Sequence, residues 1–210
     1  MQKNLEKAVA VLWTGGKDSC LSLHRVHEKG FRIACLATFV PVGEVNFIAH
    51  PIDDMKKQAE ALGLPLFLMP VSEPYRAGYI AGLNSLKNEF GVTSVVTGDV
   101  DLVNGLPNWI VECCTNIAIE VIRPLWNENR QSLMTELLDR KIEAKITLVS
   151  HPALSQDWCG RIIDKLLLNE LSALTKTAGI DLCGENGEYH TMVLNAPLFR
   201  NPITMKSHNL

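Results

Sequence analysis

With 210 residues, the chain has room for one well-buried domain, or one domain with a modest second lobe, because the buried fraction of the surface grows with length. A content of 47% hydrophobic and 20% charged residues with a mean hydropathy of +0.08 argues against a disordered chain, and a net charge of −3 with a pI near 6.1 provides no global field for nucleic acid. No run approaches the roughly 18 apolar residues of a membrane span, and the opening "MQKNLEKAVAV" has no signal-peptide core, so the expectation is a cytoplasmic protein with no membrane partner.

In chain order, the apolar run Val9–Trp13 predicts a strand that ends at a glycine pair. The stretch "KDSCLSLHRVHEK" then predicts a helix from about Lys17 to Lys29, with Leu21, Leu23 and Val26 on one face. The alternation continues with "RIACLATFV" as strand, "IDDMKKQAEALG" as helix, "PLFLMPV" as strand and "YRAGYIAGLNSLKNEFG" as helix. It closes with "TSVVTGDV" as strand, "NWIVECCTNIAI" as helix and "EVIRPLW" as strand. Strands this uniformly apolar are covered on both faces, which predicts an α/β fold with an open, doubly wound, mainly parallel sheet. Ligands of such sheets sit beyond the carboxyl ends of the strands, where the glycine turn lies.

Beyond Trp126 the pattern changes. "RQSLMTELLDRKI" reads as a helix, "EAKITLVS" as a strand, "GRIIDKLLLNELSALTKTAG" as one long amphipathic helix and "EYHTMVLNAPLF" as a strand. This predicts a smaller C-terminal α+β lobe, with a boundary near Trp126–Arg130 that divides the chain into residues 1–128 and 129–210. The six cysteines, at 20, 35, 113, 114, 159 and 183, form no C-x-x-C pair, which argues against a zinc ribbon, an iron–sulfur site or a redox dithiol. His24 and His27 are three apart on a helix, but two ligands without a third make no metal site.

The turn "TGGKDS", Thr14–Ser19, is neither a Walker A loop nor a dinucleotide fingerprint. Its ingredients still suit a polyphosphate. Gly15 and Gly16 let backbone N–H groups approach oxygens, the helix that follows offers its N-terminal donors, Lys17 adds a positive charge, and Thr14 and Ser19 add hydroxyls. Asp18 repels bare phosphate, which makes a bridging Mg²⁺ its natural partner. The plain alternative is a tight strand-to-helix turn with Asp18 in the first helical turn.

These residues resemble the S-G-G-x-D-S PP-loop of the ATP pyrophosphatase superfamily, with Thr14 in place of the first serine. The resemblance implies that Gly15, Gly16, Lys17, Asp18 and Ser19 bind the pyrophosphate end of ATP, and that the backbone of Leu36, Ala37 and Thr38, at the end of the second strand, lies near adenine. Downstream, "CGENGEYHT", Cys183–Thr191, resembles the C-G-E-G-G-E-[YF]-E-T segment of the diphthine–ammonia ligase family, with Asn186 for the second glycine and His190 for the third acidic residue. "GDVD" at 98–101, "RPLW" at 123–126 and "CGRIID" at 159–164 agree in order, so the resemblance spans nearly the whole chain.

The implied reaction is amide formation from a carboxylate and ammonia through an acyl-adenylate, with ATP and Mg²⁺ as cofactors and AMP and pyrophosphate as products. The partners are then ammonium and a carboxylate acceptor, either diphthine on a protein or a small acid. The first region becomes the ATP-binding domain and the second the substrate lobe. Glu185, Glu188, Asp99 and Asp101 are the candidate acidic residues for holding ammonium, with Lys17 and Asp18 acting on the phosphates and Gly98 beside the nucleotide. Gly184, Gly187, His50, His190 and Arg161 complete the expected acceptor-binding set. Read without the resemblance, the acidic turn is solvated, Asp101 caps the next helix, the histidines are structural, Arg161 begins the long helix on a wet surface, and Trp109, Trp126 and Trp158 pack the core. Two other functions share the loop: an ATP or AMP sensor without turnover, and a tRNA thiolation enzyme, which needs a persulfide-carrying cysteine. The oligomeric state stays open, a homodimer being one option.

Overall fold

The nearly complete burial of β1 (Ala8–Leu12) is what a strand flanked on both edges and covered on both faces requires. The computed structural model describes residues 7–43, 49–102, 105–106 and 108–205. Met1–Glu6, part of the opening segment read for a signal peptide, lie outside them. In chain order, β1 is followed by α1 (Lys17–Glu28), β2 (Arg32–Pro41), α2 (Ile52–Leu62), β3 (Leu66–Val71), α3 (Tyr75–Phe90) and β4 (Ser94–Val96). Then come α4 (Ile110–Thr115), β5 (Glu120–Ile122), α5 (Arg130–Asp139), β6 (Glu143–Val149), a 3-10 turn (Gln156–Trp158), α6 (Lys165–Ala178) and β7 (Tyr189–Asn195). Among the described residues, no helix is long and apolar enough to cross a membrane.

The chain divides into two compact units. Met1–Thr14, Asp18–Asn46 and Leu64–Asn127 form the first; Gly15–Lys17, Phe47–Gly63 and Glu128–Leu210 form the second. The first unit contains a five-stranded sheet in the order β3-β2-β1-β4-β5, parallel throughout. This is the α/β fold that the apolar strands predict. On one side of the sheet, Ala10, Cys35 and Ala37 pack with Leu83 and Leu86 of α3 and Ile110, Cys113 and Cys114 of α4. Each fully buried leucine contributes about 2 kcal/mol by leaving water.

The second unit is the α+β part. β6 and β7 pair antiparallel. α5 buries Leu133, Met134 and Leu137, and α6 buries Leu167, Leu168 and Leu171, spacings that put each set on one helical face.

Several boundaries differ from the sequence expectation. The long helix begins at Lys165, five residues later than its pattern suggests, because the backbone before it is used by β6. Ile146 N donates to Arg161 O at 2.9 Å and Ile163 N donates to Ala144 O at 2.8 Å. Asp164 then caps the helix, accepting from Leu167 N at 2.8 Å. Arg161 therefore precedes the helix instead of starting it. β5 stops at Ile122, where its pairing with Val96 of β4 ends, and Trp126 N closes a turn onto Arg123 O at 3.3 Å. Leu36–Thr38 lie in mid-strand, since β2 pairs with β3 as far as Pro41↔Val71.

Candidate functional site

In the first unit, β1 and β4 are neighbours in the middle of the sheet, and the strand order reverses between them. The carboxyl ends of two such strands flank the crevice where open α/β sheets take ligands. Asp18, half-buried, and Ser19, buried, stand in the first turn of α1, while Thr14 is exposed. Ser22 Oγ ties α1 to the end of β4 by donating to Thr97 O at 3.1 Å. Gly98 allows that approach: a Cβ there would stand 2.9 Å from Ser19 N. The helix N-terminus and Gly98 thus meet at the end of β4, where the helix dipole favours an anion.

Asp99 follows immediately. Its Oδ2 accepts from Thr97 Oγ1 at 2.9 Å, and Asn108 Nδ2 donates to Oδ1 at 3.1 Å and to Oδ2 at 3.3 Å. Asn108 also starts α4, its Oδ1 accepting from Ile110 N at 3.1 Å. Asp101 does not cap that helix; its Oδ1 accepts from Leu102 N at 2.7 Å. Leu36 and Ala37 are fully buried, and Ala37 O accepts from Trp13 N at 2.8 Å, while Thr38 Oγ1 donates to Trp13 O at 2.6 Å.

The second unit holds Gly15–Lys17. Gly15 has φ +78°, the left-handed region that glycine enters without penalty. A Cβ on it would fall 2.5 Å from both Gln58 Oε1 and Met192 Sδ. Gly15 O accepts from Val193 N and from Gln58 Nε2, both at 2.9 Å, and the same Nε2 donates to Val193 O at 2.7 Å. Lys17 N donates to Thr191 Oγ1 at 3.1 Å. The Lys17 side chain is buried, its ammonium donating to Cys183 O and lying 5.3 Å from the centre of the Tyr189 ring. The charge expected on phosphate is thus also a tie to the acidic turn.

That turn, Asp181–Glu188, is held by two carboxylates. Asp181 Oδ1 accepts from Cys183 N at 2.7 Å, and its Oδ2 accepts from Arg130 Nε at 3.0 Å. Glu188 is 6% exposed. Its Oε1 accepts from Asp181 N at 2.9 Å and from Asn186 Nδ2 at 3.3 Å, and its Oε2 accepts from Asn186 N at 3.0 Å. Gly184 and Gly187 both have positive φ, 71° and 84°. Tyr189 Oη closes the turn by donating to Leu182 O at 2.7 Å. Glu185 is half-buried.

His190 and His50 meet edge to face with ring centres 5.3 Å apart. Burial, and then the positive charge of Lys17, push the His190 pKa below its ordinary 6.5, so its imidazole is neutral near pH 7 and able to accept a proton. Arg161 is engaged by Glu170, donating from Nη1 at 2.8 Å and from Nη2 at 2.7 Å, and lies over Trp158 at 4.6 Å. Trp109 is 38% exposed and packs on Tyr79 with centres 4.3 Å apart.

Reading residues by type missed Gln58, Asp181, Arg130 and Asn108. Thr191 sits inside the quoted "EYHT" segment, which was the available signal for it. No group of three His, Cys, Asp or Glu side chains converges as a metal cage among the described residues. Burial pushes the thiols of Cys35 and Cys114 up to about 12 and raises those of Cys20 and Cys113, which disfavours a thiolate at these four positions.

Residues 7–121 match the family described as diphthamide synthase N-terminal domain, and residues 129–209 match diphthamide synthase C-terminal domain. Diphthine–ammonia ligase of Homo sapiens is 28% identical over 225 residues, covering 95% of this chain and 83% of that protein. That of Danio rerio is 26% identical over 220 residues, covering 93% and 85%. A solved structure from Methanocaldococcus jannaschii, described as a predicted subunit of tRNA methyltransferase, covers 90% of this chain and 99% of its own at 17% identity, with a TM-score of 0.49.

Proposed function

Because the chain belongs to the diphthamide synthase family, we propose that it is an ATP-dependent, amide-forming ligase of the diphthine–ammonia ligase type. The observation that carries this reading is the match of both family domains, in order, over the segments that contain "TGGKDS" and "CGENGEYHT".

A carboxylate is anionic and a poor electrophile, so ammonia cannot displace its oxygen directly. In the proposed reaction, the acceptor carboxylate oxygen attacks the α-phosphorus of ATP and pyrophosphate leaves. Ammonia, formed by deprotonation of ammonium, then attacks the acyl carbon. The C–O bond to AMP breaks and the amide remains. The protein's part is positioning and electrostatics.

The backbone amides of Gly15 and Gly16, the first turn of α1 and the hydroxyls of Thr14 and Ser19 are assigned to the phosphates, with Gly98 beside them and Leu36–Thr38 toward adenine. Asp18 would hold Mg²⁺, which when bound offsets phosphate charge. Lys17 contributes its positive charge while bracing Cys183 O. Asp99 and Glu185 are the candidates for holding ammonium, and Glu188, saturated by its own turn, supports Glu185. His190 is the candidate base. Asp101, His50, Gly184, Gly187 and Arg161 are assigned to the acceptor. The ATP-binding role expected of residues 1–128 then includes Gly15–Lys17 and residues 47–63, which belong to the second unit, and residues 129–210 act as the substrate lobe, in the cytoplasm.

The test is pyrophosphate release from MgATP with ammonium, screened over carboxylates that include diphthine-bearing elongation factor. Acceptor-dependent release that disappears in Asp18→Ala supports the ligase. ATP binding without release for any acceptor contradicts it and favours a sensor.

A further inference from the structure

We propose that Gln58 is a positioning residue that sets the phosphate-binding conformation of the glycine turn from outside the motif. The inference rests on the ATP reading given above and adds to it a residue of α2. Gln58 is fully buried, and its amide nitrogen serves two carbonyls at once, Gly15 O at 2.9 Å and Val193 O at 2.7 Å. Two carbonyls on one side fix which end of the amide faces them, since only the nitrogen can donate.

Gly15 O also accepts from Val193 N at 2.9 Å, so this carbonyl is pinned to β7 by two donors. A trans peptide is planar, with C=O and N–H on opposite sides. Pinning Gly15 O toward β7 therefore turns the Gly16 N–H away from β7. The next amide does the reverse: Lys17 N–H is directed at Thr191 Oγ1 at 3.1 Å. The turn thus alternates inward and outward amides, and Gln58 is the side chain that enforces the first of these choices.

Removing the Gln58 donor leaves Val193 O without its side-chain donor and Gly15 O with one donor in place of two. The Gly15–Gly16 peptide is then held by Val193 N alone, and phosphate binding must provide the part of the ordering that Gln58 otherwise provides.

The decisive variant is Gln58→Met, which keeps the length and loses both donors. Calorimetric titration with MgATP compares it with wild type and with Leu171→Ala, a cavity-forming change at a fully buried residue of α6, an element other than the turn, α2 and β7. The expected result is MgATP affinity about tenfold weaker in Gln58→Met, roughly one net hydrogen bond, and within about twofold of wild type in Leu171→Ala even if its melting temperature falls further. The Gly16 amide resonance, which a general loss of stability leaves in place, should move in Gln58→Met before any nucleotide is added.

Affinity within twofold of wild type in Gln58→Met, or an equal loss in Leu171→Ala, overturns the inference alone. Failure of the wild type itself to bind MgATP overturns the ATP reading and the inference with it. Should Gln58→Met not fold, Gln58→Asn, one methylene too short to span both carbonyls, is expected to show the same loss; retained affinity there overturns the proposal.

Discussion

Asp99 in the first unit and Glu188 in the second are both carboxylates in short polar turns, yet they are held in opposite ways. Among the described residues, Asp99 accepts from the side chains of Thr97 and Asn108, while Glu188 accepts chiefly from the main-chain amides of Asp181 and Asn186. A carboxylate bonded to its own backbone fixes the path of the chain. One held by side chains at the end of a strand leaves the path of its own main chain to other bonds. The comparison teaches that acidity and position in a turn do not make two residues equivalent, and that their donors show which of them braces the main chain.

The sharpest way to break this comparison is Asp99→Asn. It should lower turnover by about 100-fold or more while leaving the melting temperature within a few degrees of wild type; a large drop in melting temperature would make Asp99 scaffold after all. Next in size, Glu188→Ala removes a buried carboxylate with three hydrogen bonds. Denaturant titration should show a loss of about 3 kcal/mol, and an unchanged midpoint would contradict the role given to its turn.

Gly15→Ala asks how far the second unit dictates the glycine turn. The unfavourable φ and the overlap with Gln58 and Met192 should together cost about 2 kcal/mol and weaken MgATP binding, read by melting and calorimetry. The smallest effect concerns His190. Its pKa is lowered in the folded state, so the unfolded chain takes up the proton first as pH falls. The associated stability is present above the ordinary value of 6.5 and is lost as the pH falls from there through the lower folded value. His190→Gln should flatten the melting temperature between pH 7.5 and about 5, and an unaltered slope would place the titration elsewhere.

How much of this could be read from the sequence follows how local each feature is. The strand, glycine turn and helix over 8–28 were legible because an apolar run, a glycine pair and an amphipathic stretch are neighbours in the chain. The start of α6 was not. Gly160–Ile163 carry a pattern compatible with a helix, but their backbone is taken by β6, a partner distant in sequence. In the acidic turn, Glu185 and Glu188 are chemically identical, and the bonds that tie Glu188 to Asp181 and Asn186 depend on the path of the folded turn, which residue type does not give. Gln58 had no signal at all, being one polar residue on a helix whose burial depends on β7.

The most direct test of the acyl-adenylate is exchange of labelled pyrophosphate into ATP, with the carboxylate acceptor present and ammonium withheld. Adenylation as a separate first step predicts exchange that needs the acceptor and not ammonium, and that vanishes in Asp18→Ala. Release of ADP in place of AMP, or turnover of the acceptor with no such exchange under any condition, would contradict it.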